Sequence, residues 1–247
     1  MKKISLTIGA LLLLATSTVA QDKVTGYVYE DQNANGRMER TEKGIPGVAV
    51  SNGVEVVQTD SRGRYQLPIG DDTTIFVIKP AGYKVPTDHQ FIPQYFYHHK
   101  PLGKSDAFQY PGVPKTGRLP KEVNFGLTKY DEPLDYSVIL FGDPQPYTDT
   151  EVHYFGRSIV DRVAKKEDTL FGISLGDIVG DSLPLNKGYK AELAALQLPW
   201  YHVIGNHDHN YDAPNEWLAD ERFELEYGLA NSAFNYGNTH LDRKSVV

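Results

Sequence analysis

Cysteine is absent from the 247 residues. That excludes disulfides, a thiol nucleophile and lipid attachment through an N-terminal cysteine. Basic charge is short as well: 25 Lys and Arg stand against 32 Asp and Glu, a net charge of −7, or −9 without Lys2 and Lys3. A chain so acidic does not bind nucleic acid through bulk charge, and no nucleic-acid partner is expected. Beyond residue 20 no apolar run reaches the roughly 20 residues that a bilayer span needs, so no transmembrane segment is expected there. No glycine-rich loop resembles a phosphate cradle, and no serine sits in a nucleophile-elbow setting. What is present, 40% hydrophobic and 11% aromatic residues, suffices for the core of one large domain or two ordinary ones.

Residues 1–20 are read as a cleavable export signal. Lys2 and Lys3 supply the charged start, Ile8 to Ala15 the apolar stretch and Thr18-Val-Ala20 the small-residue cleavage site. The expected location is periplasmic or extracellular. From Val24 to Ile78 short runs of β-branched and aromatic residues alternate with turns at Ser51-Asn-Gly53, Asp60 to Gly63 and Gly70 to Asp72. Short strands at this spacing predict an N-terminal β-sandwich over 21–128. Residues 80–122 are proline-rich and carry His89, His98 and His99. They read as an extended loop whose histidines pack along a domain interface or, alternatively, contribute to substrate binding. A polar linker follows at 129–135. From Tyr136 strand and helix patterns alternate, with helices predicted from Asp149 or Thr150, from Asn186 to Gln197, and from near Pro214. That alternation predicts a parallel sheet.

Asp31-Gln-Asn33-Ala-Asn35-Gly36, followed by five residues and Glu42, fits the spacing of a calcium loop. No helix pattern flanks it. It is read as a calcium-binding loop with a structural role, the alternative being a polar turn without an ion.

Three further segments follow apolar, strand-like runs. They are Asp143-Pro-Gln145 after Ser137 to Phe141, Gly176-Asp177 through Asp181 after Thr169 to Leu175, and Gly205-Asn206-His207-Asp208 after Trp200 to Ile204. Uninterrupted apolar runs suit strands buried on both faces, and open α/β sheets place ligand sites beyond the carboxyl ends of such strands. Asp143, Gln145, Asp177 and Asn206 are oxygen donors suited to hard or borderline divalent ions. His207 can give a proton or hydrogen bond to a leaving oxygen. Two ions about 3.5–4 Å apart can orient hydroxide and stabilise a transferring phosphoryl group.

These blocks resemble the first three signature blocks of the calcineurin-like metallophosphoesterases, in an exported bacterial branch with an N-terminal β-domain. The module ahead of them is similar to prealbumin-like or carboxypeptidase-regulatory-like domains. The resemblance implies an α/β metallophosphoesterase domain, an α/β/β/α sandwich, with its N-terminal half at 136–241. It implies two divalent ions of Mn, Fe, Zn or Mg type and a metal-bound hydroxide as nucleophile, acting on a small-molecule or envelope phosphate ester, mono- or diester. Asp143 and Gln145 would hold the first metal, Asp177 would bridge, and Asn206 would hold the second. His207 would act at the scissile phosphate, with Asp208 orienting it and Asp181 and His209 as neighbours. Gln145 stands where the family usually has histidine. The family's late Gly-His-x-His block is not found, and Asp242 to Val247 read as a non-native tail. The expectation is therefore a C-terminally truncated phosphoesterase, hydrolytically weak as residues 21–247 alone. The alternative is a non-catalytic exported calcium-binding or adhesion module with a degenerate phosphoesterase fold.

Overall fold

The computed structural model describes residues 22–104, 107–163 and 167–243. The export signal read at 1–20 and residues 244–247 of the tail lie outside them.

Alternating burial along β1 (Lys23–Glu30) shows the period of two that the sequence carries: Val24, Gly26 and Val28 point inward. β1 pairs antiparallel with β4 (Arg64–Pro68) and parallel with β8 (Phe125–Lys129), which in turn pairs with β6 (Tyr83–Lys84). A second four-stranded sheet runs in the order β3-β2-β5-β7, from β2 (Ala49–Ser51), β3 (Val56–Gln58), β5 (Thr73–Val77) and β7 (Phe96–His99). Val28, Leu67 and Leu127 of the first sheet share one core with Val50, Ile75 and Val77 of the second. The proline-rich stretch is less irregular than its sequence predicts, because Phe96 to His99 pair along β5 as an added strand.

The remaining chain is α/β. β9 (Ser137–Phe141), β10 (Thr169–Leu175) and β11 (Trp200–Val203) form a parallel sheet in the order β11-β10-β9. On one face Ile139, Phe141 and Trp200 pack with Val152 and Phe155 of α1 (Asp149–Ser158) and Tyr189 and Leu193 of α2 (Asn186–Leu193). Phe223 and Tyr227 of α4 (Glu221–Tyr227) join them, behind the short α3 (Glu216–Ala219). On the other face Phe171, Ile173 and Tyr201 meet Phe234 and Tyr236 of a hairpin, β12 (Ser232–Tyr236) and β13 (Thr239–Arg243), and merge with the N-terminal core. Asp242 and Arg243, at the start of the stretch read as a tail, continue β13.

Two local readings differ from the structure. α1 is capped by Thr148, whose hydroxyl accepts the N–H of Glu151 while Glu151 reaches back to the cap, a reciprocal box that outcompetes Asp149 or Thr150. β9 is not buried on both faces. It lies at the sheet edge, and Val138 and Leu140 are exposed. An apolar run specifies a strand but not its rank in the sheet.

Candidate active site

Parallel pairing brings the carboxyl ends of β9, β10 and β11 to one edge of the sheet, and the three loops that leave them are tied together by backbone hydrogen bonds. Gln145 N–H donates to the Asp177 carbonyl at 3.0 Å, and Gly180 N–H to the Pro146 carbonyl at 2.8 Å. His207 N–H donates to Asp177 Oδ1 at 3.0 Å. The Asp208 carboxylate, 1% exposed, accepts from Ile178 N–H at 2.9 Å and Gly205 N–H at 2.8 Å. Gly205 has to be glycine: a Cβ there would lie 2.2 Å from both Asp177 N and Oδ1.

Backbone strain marks the same place. Seven non-glycine residues among those described have positive φ, and four of them are Asp143 (50°), Gln145 (42°), Asp177 (45°) and Asp181 (61°). Asp143 and Gln145 each precede a proline, a setting that ordinarily draws a residue to extended conformations. Each left-handed residue costs on the order of 1 kcal/mol, and such strain persists where surrounding contacts over-determine it.

Asp181 Oδ1 accepts from His207 Nδ1 at 2.7 Å. That hydrogen bond, followed by the charges of Asp181, Asp177 and Asp143, raises the imidazole pKa above its ordinary value against a smaller opposing effect of burial. With Nδ1 held by a carboxylate, Nε2 is the nitrogen left to meet a ligand. Burial pushes the Asp208 carboxyl up to about 6, against the three backbone N–H groups that favour its charge.

The structure thus gathers Asp143, Gln145, Asp177, Asn206 and His207 on three adjoining loops. It gives the orienting contact on His207 to Asp181, where the sequence reading gave it to Asp208; Asp208 turns inward and staples the second loop to the third. His209 turns the other way, its Nδ1 3.3 Å from Asp220 Oδ1. Two residues absent from the sequence reading border the site: the Tyr147 ring stands edge-on to His207, centroids 6.4 Å apart, and Tyr211 Oη donates to the Asn206 carbonyl at 2.7 Å. Tyr147 lies two residues beyond Gln145, a proximity visible in sequence, whereas Tyr211 has no such signal.

The N-terminal loop folds on itself. Asp31 accepts from Asn35 and Gly36 N–H, Glu42 from Gln32 and Glu39 N–H, and Glu39 ties the amides of Asn33 and Asn35. Its carboxylates therefore have backbone donors of their own. Among the described residues no three His, Cys, Asp or Glu side chains are grouped so as to hold a metal ion.

Residues 32–112 match the family model described as the N terminal of calcineurin-like phosphoesterase. Residues 136–243 match the model described as calcineurin-like phosphoesterase. A search of curated proteins finds no match. The second match takes in all three loops of the site, and the first covers most of the module packed against them. The chain belongs to the calcineurin-like phosphoesterases.

Proposed function

We propose that this protein is an exported hydrolase of phosphate esters, mono- or diesters, whose centre at the ends of β9, β10 and β11 holds two divalent cations. Family membership supports metal-dependent phosphoester hydrolysis in general. The observation that carries the finer reading is the convergence of three loops on Asp177, with positive φ at three of the four donor residues, Asp143, Gln145 and Asp177.

The donor set fits hard cations. Asp143 and Asp177 supply charge, Gln145 and Asn206 neutral oxygens, and no thiolate is available anywhere in the chain. Bound there, divalent ions would acidify water and offset charge on the transferring phosphoryl group. The protein's own part is to fix geometry and move one proton. Asp177 is locked by the His207 N–H and by its carbonyl's bond to Gln145. His207, held at Nδ1 by Asp181, presents a protonated Nε2 to the leaving oxygen. The sequence pattern at residues 1–20 supports export to the periplasm or beyond. No helix among the described residues is long and apolar enough to cross a membrane.

Asp177→Asn tests the reading. It removes charge from the residue on which the loops converge while keeping its size. Bound Mn2+ measured by equilibrium dialysis is expected to fall, and phosphoester turnover to drop by about 100-fold or more. Unchanged metal content and turnover would remove Asp177 from the centre.

A further inference from the structure

We propose that Tyr147 and Tyr211 are the walls of the leaving-group side of this site and select phosphate esters of flat aromatic alcohols. The inference rests on the hydrolase reading above and adds to it a substrate class.

Both residues are tethered, Tyr147 by its backbone N–H and Tyr211 by its hydroxyl, and both are exposed. Tyr147 N–H donates to Glu151 Oε2 at 2.6 Å, which anchors the residue to the first turn of α1. Its ring lies against Gly180, where a Cβ would come within 2.5 Å of it, and meets the His207 ring edge-on at 76°. Even so, Tyr147 is 51% exposed. Tyr211 is 67% exposed, although its hydroxyl is tethered to the carbonyl of Asn206. Single exposed aromatic residues are ordinary. Two anchored ones, flanking the histidine that faces the leaving oxygen and the amide that would hold a cation, form a built surface. The organic part of an ester whose leaving oxygen meets His207 has to lie beside these rings, and offset or edge-on contact with them favours a flat π system over a puckered one.

The surface suits an aryl or arylmethyl group.

The test compares benzylphosphonate with cyclohexylmethylphosphonate. The two are of similar size and charge and differ in flatness and π character. Each is titrated into the Mn2+-loaded protein by calorimetry, and turnover is measured on the matching phosphate monoesters, whose alcohols are of similar acidity. The benzyl compound is expected to bind about tenfold tighter, and its ester to show a similar advantage in kcat/KM. Tyr147→Leu and Tyr211→Leu should each cut that preference by about threefold or more, while Tyr147→Phe keeps it. Equal affinity of the parent for the two phosphonates, binding of neither, or a preference unchanged in both leucine variants overturns the proposal. A binding preference that follows the tyrosines without turnover of either ester upholds the aromatic walls and removes the hydrolase reading, so the two failures are distinguishable.

Discussion

His202 sits in the middle of β11, 1% exposed, with its ring stacked on Tyr227 at 3.9 Å and neither ring nitrogen hydrogen-bonded. Burial, then the nearby charges of Arg243 and Lys190, hold its pKa well below the ordinary histidine value. The folded protein keeps this ring neutral. Above an unfolded pKa of about 6.5 both states are neutral and the residue costs nothing. As pH falls through that value the unfolded chain takes a proton that the folded one refuses, so stability is lost towards acid. Glu224, pushed up to about 7 chiefly by burial, works in the opposite sense, and only a difference between variants isolates the histidine. His202→Phe keeps a ring for the stack and removes the titration. Urea unfolding at pH 7.5 and pH 5.0 is expected to show a smaller acid loss in this variant than in the parent; equal losses would exclude His202 as an acid-labile point. Residue roles of this kind were only partly legible in the sequence. Asp177 and His207 declared themselves through their ordered blocks, but the choice between Asp181 and Asp208 as partner of His207 turns on the positive φ of Asp181, a conformation that an aspartate's residue type permits without dictating.

The elements were more legible than their ends. Each apolar run taken for a strand overlaps one, because runs rich in β-branched, leucine and aromatic residues fit the pleated, half-buried surface of a sheet. The exception in composition is Gly172, inside β10, where a glycine ordinarily weakens a strand. It is there for Trp200: a Cβ at 172 would stand 2.2 Å from Trp200 Cζ3, and the indole has no room to retreat. Trp200 is 1% exposed, its Nε1 donates to Ser174 Oγ at 2.8 Å, and its ring packs on Phe141. Gly172→Ala is therefore expected to destabilise the protein by about 1–3 kcal/mol, the range for overpacked cores, even though alanine is the better strand former. Chemical denaturation read by tryptophan fluorescence measures it, with a shifted native emission reporting the displaced indole. A neutral or stabilising result would mean that strand propensity outweighs the contact.

At the scale of the whole molecule the sequence suggests two modules joined by a polar linker, and the structure fuses them. No periodicity could announce this, because the joint is made by an apolar core shared between the modules and by polar groups far apart in sequence. Lys79, which follows β5 of the N-terminal module, is fully buried. Its ammonium donates to Glu132 Oε1 of the linker at 2.6 Å and to the Asn235 carbonyl of the hairpin at 2.6 Å, and it lies 3.7 Å from the Tyr236 ring centroid. Glu132 in turn accepts from Gly237 N–H at 2.8 Å, and Asn235 N–H donates to the Lys79 carbonyl. Burial lowers the Lys79 pKa, and the hydrogen bond and charge of Glu132 oppose that shift. Lys79→Ala would leave the Glu132 carboxylate, 3% exposed, without its counter-charge. The expected cost is about 3–5 kcal/mol, most of it the penalty of the orphaned charge. The double variant Lys79→Met with Glu132→Gln removes both charges and should recover most of that loss. Calorimetric unfolding separates this from a local effect. If the ion pair couples the modules, Lys79→Ala lowers the midpoint of both together or splits one transition into two. Were the modules independent, only the transition of one would move and the other would stay where the parent has it.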